Sequence, residues 1–216
     1  MVTGLVRRLT GAVVGVLLAG VSLVAAVPAH AEEPLTFGRQ IVRYDVTVEL
    51  ARDGVAEVSI DMDFDFGNDP GHGPYITLST RVRYDDERDR VYRVSDVRAS
   101  SATGAPARVH LDRSPSSVAI RVGNENRGNI SGVQQYTISY RLEGIVNGAA
   151  GEGTYDEFYW NVIGSGWEIP ISNASVTIQG PGPISEVRCF AGPRGSTESC
   201  TSEQFEAATA HFTEDV

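Results

Sequence analysis

The chain has 216 residues, a formal net charge of −10 and no lysine. An acidic domain is repelled by nucleic-acid phosphates, so DNA and RNA are excluded as expected partners, and the missing lysines remove Schiff-base and P-loop chemistry. The length bounds the chain to one domain that can bury a core without relying on staples.

Residues 1–31 read as a signal peptide. Arg7 and Arg8 form a short positive region, and an uncharged run follows from Leu9 to Val27. Ala29 and Ala31 then supply the small-residue pattern of a cleavage site. An uncleaved anchor is the competing reading, since the run is nearly long enough to span a bilayer. The Ala-x-Ala site and the acidic pair Glu32-Glu33 favour cleavage, which leaves residues 32–216 as the expected folded domain. The Arg pair lacks the flanking residues of a twin-arginine signal, so ordinary export is expected.

Beyond the leader the dominant pattern is period-2 alternation. Val42, Tyr44, Val46, Val48 and Leu50 alternate with polar residues, and after Asp53-Gly54 so do Val58, Ile60, Met62, Phe64 and Phe66. Asp-Gly is a hairpin signal, so the two runs are expected to pair antiparallel. Ile76, Leu78, Val82 and Tyr84 are read as sharing one phase. Val118, Ile120 and Val122 follow, then Tyr136, Ile138, Tyr140 and Leu142, then Val176 and Ile178. Gly, Pro and Asn clusters separate these runs, and no sustained helical period appears. The expected fold is all-β, an antiparallel β-sandwich of immunoglobulin-like architecture. Ala210, His211 and Phe212 look like the start of a further strand shortly before the chain stops at Val216, so a fragment of a longer product is one expectation.

Cys189 and Cys200 form an even, closely spaced pair. In an exported chain that spacing reads as a disulfide, worth roughly 3 kcal/mol in the chain-entropy model. No metal is expected there, because no histidine is near in sequence. Asp61, Asp63 and Asp65 raise calcium, but an EF-hand loop needs Gly at its sixth position and Glu at its twelfth. Phe66 and His72 stand there instead, so the aspartates are expected on the solvent face of a strand.

The densest segment is Tyr155-Asp156-Glu157-Phe158-Tyr159-Trp160-Asn161, followed by Trp167-Glu168-Ile169-Pro170. Adjacent Asp156 and Glu157 point to opposite faces of a strand, which does not set a glycosidase pair across one bond. The expectation is that Phe158 and Trp160 fill the core while Tyr159 is exposed. Asp156, Glu157, Tyr159, Trp167 and Glu168 are the ligand-binding candidates. No Gly-x-Ser-x-Gly elbow occurs, and neither catalytic residues nor a cofactor are assigned.

Together these features carry a resemblance. The opening alternating strands, Gly71-His72-Gly73-Pro74-Tyr75, Ser101 to Pro106, Tyr136 to Tyr140 and above all Asp156 to Asn161 with Trp167 resemble the extracytoplasmic N-terminal domain of predicted membrane proteins in domain-of-unknown-function family 2207. The Arg-only, Ala/Gly/Val-rich composition resembles actinobacterial chains. The resemblance implies an exported domain at the cell envelope, tethered by later membrane helices in a full-length form, with no known activity. The leading functional expectation is a non-enzymatic module that binds or is positioned at the envelope, its partner an envelope protein or glycan. The alternatives are a carbohydrate-active hydrolase using Glu157 or Glu168, and calcium-dependent adhesion.

Overall fold

The computed structural model describes residues 38–148, 155–164, 166–192 and 195–215, all within the unit Thr36–Val216. The expected signal peptide, with Arg7, Arg8, Ala29 and Ala31, lies outside the described residues. In chain order the strands are β1 (Gln40–Leu50), β2 (Ala56–Asp65), β3 (Tyr75–Ser79), β4 (Arg81–Arg83), β5 (Asp89–Val91), β6 (Arg93–Ser101), β7 (Val109–Arg113) and β8 (Ser117–Val122). There follow β9 (Val133–Glu143), β10 (Val146–Asn147), β11 (Glu157–Phe158), β12 (Asn173–Gln179), β13 (Phe190–Ala191), β14 (Glu198–Ser199), β15 (Ser202–Glu206) and β16 (Thr209–Asp215). A seven-stranded sheet in the order β15-β16-β12-β1-β2-β9-β6 shares its core with a three-stranded sheet, β3-β8-β7.

Alternation builds the core. Tyr44, Val46 and Val48 of β1, Val58, Ile60 and Met62 of β2, and Tyr136, Ile138, Tyr140 and Leu142 of β9 are all buried. They meet Ile76 and Leu78 of β3 and Val118, Ile120 and Val122 of β8. Asp53-Gly54 closes the first hairpin as expected: Gly54 sits at φ 80°, and the Val55 N–H donates to Asp53 Oδ1 at 3.1 Å. The cysteines form the Cys189–Cys200 disulfide, with Cα atoms 5.5 Å apart, beside the β13–β14 ladder.

Three details depart from the alternation. A bulge between Ile41 and Arg43 puts Ile41, not Val42, fully into the core. β1 pairs parallel with β12, within an otherwise antiparallel sheet. The run read as one phase from Ile76 to Tyr84 breaks at Thr80, where the Thr80 and Arg81 N–H groups both donate to the Ser116 carbonyl. Beyond that break Val82 and Tyr84 belong to a separate β4–β5 hairpin and are 43% and 53% exposed.

The Gly71-His72-Gly73 motif has a structural cause. At Gly73 (φ 138°) an added Cβ would lie 1.9 Å from the Val122 carbonyl oxygen, and at Gly123 (φ 141°) one would lie 1.9 Å from that of His72. The two backbones pass at a distance only glycine permits. Gly104 also has a positive φ, 77°, but nothing lies within 4 Å of its added Cβ. Gly73→Ala is therefore expected to cost more than about 2 kcal/mol in urea denaturation, and Gly104→Ala only about 1 kcal/mol from the backbone conformation alone.

Asp61, Asp63 and Asp65 point away from the core, as expected, and each has its own partner. Thr137 Oγ1 donates to Asp61 at 2.6 Å, and the Gly67 N–H donates to Asp65 at 2.8 Å. Arg43 grips both oxygens of Asp63, at 3.1 and 2.9 Å, and reaches Asp45 at 2.6 Å. Those hydrogen bonds from Arg43 hold the Asp63 carboxyl below its ordinary range. A lowered carboxylate contributes stability above the unfolded pKa, near about 4, and loses it as pH falls through the folded value. Asp63→Asn should thus melt below wild type at pH 6, with the gap closing as the pH is taken below about 4 in calorimetric scans.

Candidate functional site

Residues 157–171 form a strap rather than a long strand. Glu157 and Phe158 pair with Asn147 and Val146 of β10, and Ile171 makes an isolated parallel bridge to Ile41. The chain then runs beside β3, where an added Cβ on Gly166 would contact Thr77 at 3.6 Å. It docks at the start of β1, where the Ile41 N–H donates to the Pro170 carbonyl and the Ser172 N–H to that of Ile41. Phe158, Trp160, Val162, Ile163, Trp167, Ile169 and Ile171 are partly buried against the core. Trp160 meets Tyr92 edge-on, with centroids 5.1 Å apart, and Trp167 meets Tyr44 at 5.8 Å in the same T-shaped manner. Such pairs add to the burial of the rings themselves. Trp167 Nε1 donates to the Ile163 carbonyl at 3.0 Å, tying the indole down.

The structure separates the sequence candidates. Asp156, Glu157 and Glu168 are exposed, and Glu157 accepts a hydrogen bond from Asn147 Nδ2 at 2.8 Å. Trp167 is half-buried and packs. Tyr159 faces outward, 61% exposed, while Phe158 and Trp160 turn in, which is the expected division although both inward rings are only half-buried.

Tyr159 leads to residues the sequence reading missed. The Arg90 guanidinium carbon lies 4.4 Å from the Tyr84 ring centroid and 5.9 Å from that of Tyr159. Arg88 covers the same Tyr84 ring at 5.1 Å. The turn beneath is fixed by Asp85, which accepts from the Glu87 and Arg88 N–H groups at 3.0 and 2.7 Å and from Arg88 Nε at 2.7 Å. The last contact holds the Asp85 carboxyl below its ordinary range. Among the described residues no carboxylate pairs with Arg90. An arginine flanked by two tyrosine rings is stiffened without being neutralised. The signal in the sequence was Tyr84-x3-Arg88-x-Arg90, hidden because Tyr84 was read into the β3 phase.

Among the described residues, no three His, Cys, Asp or Glu side chains are grouped to hold a metal, and no helix is long and apolar enough to cross a membrane.

The family model described as "Predicted membrane protein (DUF2207) N-terminal domain" matches residues 40–215. The chain belongs to the DUF2207 family. No curated protein matches it. Solved structures similar to this DUF2207 domain include an M1 zinc metallopeptidase of Deinococcus radiodurans bound to a Tyr-Ser-Ala substrate. That match has 12% identity and a TM-score of 0.38, and covers 82% of this chain and 39% of the other. Native yeast LTA4 hydrolase is similar at 10% identity and TM-score 0.42, with 83% and 27% covered. The chain thus spans well under half of either enzyme, and likenesses of this grade carry no chemistry across.

The strap makes a clear forecast for the DUF2207 domain. Trp160→Ala should lower the unfolding free energy by about 2–4 kcal/mol, somewhat below a fully buried truncation. Tyr159→Ala should stay within about 0.5 kcal/mol of wild type, as surface changes do. Urea melts followed by circular dichroism measure both.

Proposed function

We propose that the domain is a non-enzymatic binding module outside the cytoplasm, at the cell envelope, and that the Tyr84–Arg90–Tyr159 stack is its contact surface. The observation that carries the reading is a stiffened guanidinium between two exposed rings with no carboxylate partner among the described residues. Tyrosine and arginine are the residues that dominate binding energy at protein interfaces, and here their ordering cost is already met by stacking. Between an envelope glycan and an envelope protein, this chemistry favours a protein presenting a carboxylate, since the guanidinium fork matches that group. Exposure to an oxidising compartment is supported by the Cys189–Cys200 bridge and by the leader pattern of residues 1–31. A membrane tether in a full-length form is supported by the family description. The hydrolase reading has no comparable support, because Glu157 is engaged by Asn147 and Glu168 stands exposed on the strap.

Co-sedimentation with isolated envelopes of the native host tests the proposal. Wild-type protein is expected to pellet with envelopes, and Arg90→Gln and Tyr159→Ala to bind roughly tenfold more weakly, the equivalent of one charge-assisted contact. Protease treatment of the envelopes should remove binding, and glycan hydrolase should spare it. Equal pelleting of wild type and Arg90→Gln would sink the assignment.

A further inference from the structure

The β4–β5 hairpin has two faces, as the strand period requires. Tyr84 and Arg90 carry the stack described above, and Val82, the partner of Arg90 in the ladder, shares their face. Arg81, Arg83, Asp89 and Val91 have the other parity, and Arg81 and Val91 line an open cleft of about 410 Å³. On one side is β6, the edge strand of the large sheet, and on the other the turn from β7 to β8. Buried Tyr92 and Val94 contribute to its lining, and Arg81, Arg93, Arg113 and Glu143 are charged residues of its wall.

In a chain with net charge −10 this is a local excess of cations. The pairing around it is incomplete. Asp89 is shared by two guanidinia, Arg81 and Arg83, each at 3.3 Å. Arg93 reaches Glu143 only at 3.7 Å. Arg113 has no carboxylate among the described residues. Its Nη2 donates a long hydrogen bond to the Val94 carbonyl at 3.4 Å, which takes one of the five N–H donors of the guanidinium. Three guanidinia from three separate elements suit an anion that accepts in several directions. A phosphate offers three or more oxygens, whereas a carboxylate offers two. Apolar Val91 and Pro115 in the wall leave room for a small uncharged body beside the charge.

We propose that this cleft binds a phosphate group carried on a small glycerol-like body, the chemistry shared by soluble glycerol phosphates and glycerophospholipid headgroups. The site uses none of Tyr84, Arg90 or Tyr159, so it stands or falls independently of the envelope-contact surface.

Calorimetric titration of the full chain with glycerol 1-phosphate, and flotation with phosphatidylglycerol/phosphatidylcholine vesicles against pure phosphatidylcholine, test it. Expected is saturable binding in at least one arm, weakened by salt and roughly tenfold weaker in Arg113→Gln. Arg93→Gln, an exposed side chain that reaches only Glu143 at 3.7 Å, should weaken it as well, which guards against a folding defect in the first variant. Binding of the soluble phosphate identifies a free ligand, and binding to the anionic vesicles alone identifies the lipid headgroup; either supports the site when it depends on these arginines. Absence of binding in both arms, or binding unchanged in both variants, overturns it.

Discussion

The parallel pairing of β1 with β12 is the constraint from which the rest of the architecture follows. β2 runs antiparallel to β1, and β9 antiparallel to β2, so β9 and β12 run in the same direction. A chain leaving the end of β9 must therefore travel back along the whole sheet before β12 can begin. For an eleven-residue strand that is roughly 36 Å at about 3.3 Å per residue. The return starts beside the β1–β2 turn, where an added Cβ on Gly54 would lie 3.8 Å from Val146, and ends at the opposite end of β1, where residues 170–172 pair with Ile41. The aromatic density of residues 155–167 is the consequence. Between the β10–β11 ladder and the Ile41–Ile171 bridge the segment is held mainly by what it buries, and Trp160 on Tyr92 and Trp167 on Tyr44 supply that along the route.

The same crossing accounts for which parts of the molecule could be read from the sequence. Where one face of a strand is wholly core, the period is clean, and β1, β2, β8, β9 and the opening hairpin were legible. Parallel pairing leaves no mark on alternation, so β12 was visible as a strand but not as the neighbour of β1. β6 was invisible for a different reason. Asp96, at φ 53° within a bulge between Ser95 and Arg98, interrupts the period, and only Val94 of this edge strand is buried. The strap was read as a packing segment with Tyr159 turned outward, and the structure shows that division with Phe158 and Trp160 half-buried rather than buried. Arg90 was not found, because its significance depends on Tyr84 and Tyr159, which are 75 residues apart and meet only through the fold.

The outer face of the large sheet shows how an acidic chain without lysine manages its charges. Arg43 bridges Asp45 and Asp63, and Arg141 reaches Glu57 at 2.9 Å and Asp96 at 3.8 Å, so these arginines stand between carboxylates of neighbouring strands. Ser175 Oγ donates to Asp45 and Thr137 Oγ1 to Asp61, so hydroxyls serve where cations are lacking. Inside, the sheet keeps three buried tyrosines. Burial disfavours their phenolate forms, raising Tyr44 and Tyr140 and pushing Tyr136 up to about 12. These rings act as large apolar fillers at physiological pH, and Tyr44 also gives the strap its landing surface.

Set against that economy, Arg90 of the β4–β5 hairpin and Arg113 of the neighbouring cleft are placed differently. Elsewhere on the sheets Arg43, Arg121 and Arg141 are placed beside carboxylates of adjacent strands. Arg90 is instead placed between two rings, and Arg113 against a backbone carbonyl. The Arg90 arrangement is not needed for the core, because the β4–β5 hairpin contributes no buried residue of its own. It is attached through Thr80, which bonds the β7–β8 turn, and through Tyr92, which holds Trp160. An element fixed at both ends by the framework, yet spending its own side chains on solvent-facing cations, is where a binding function can vary without disturbing the fold.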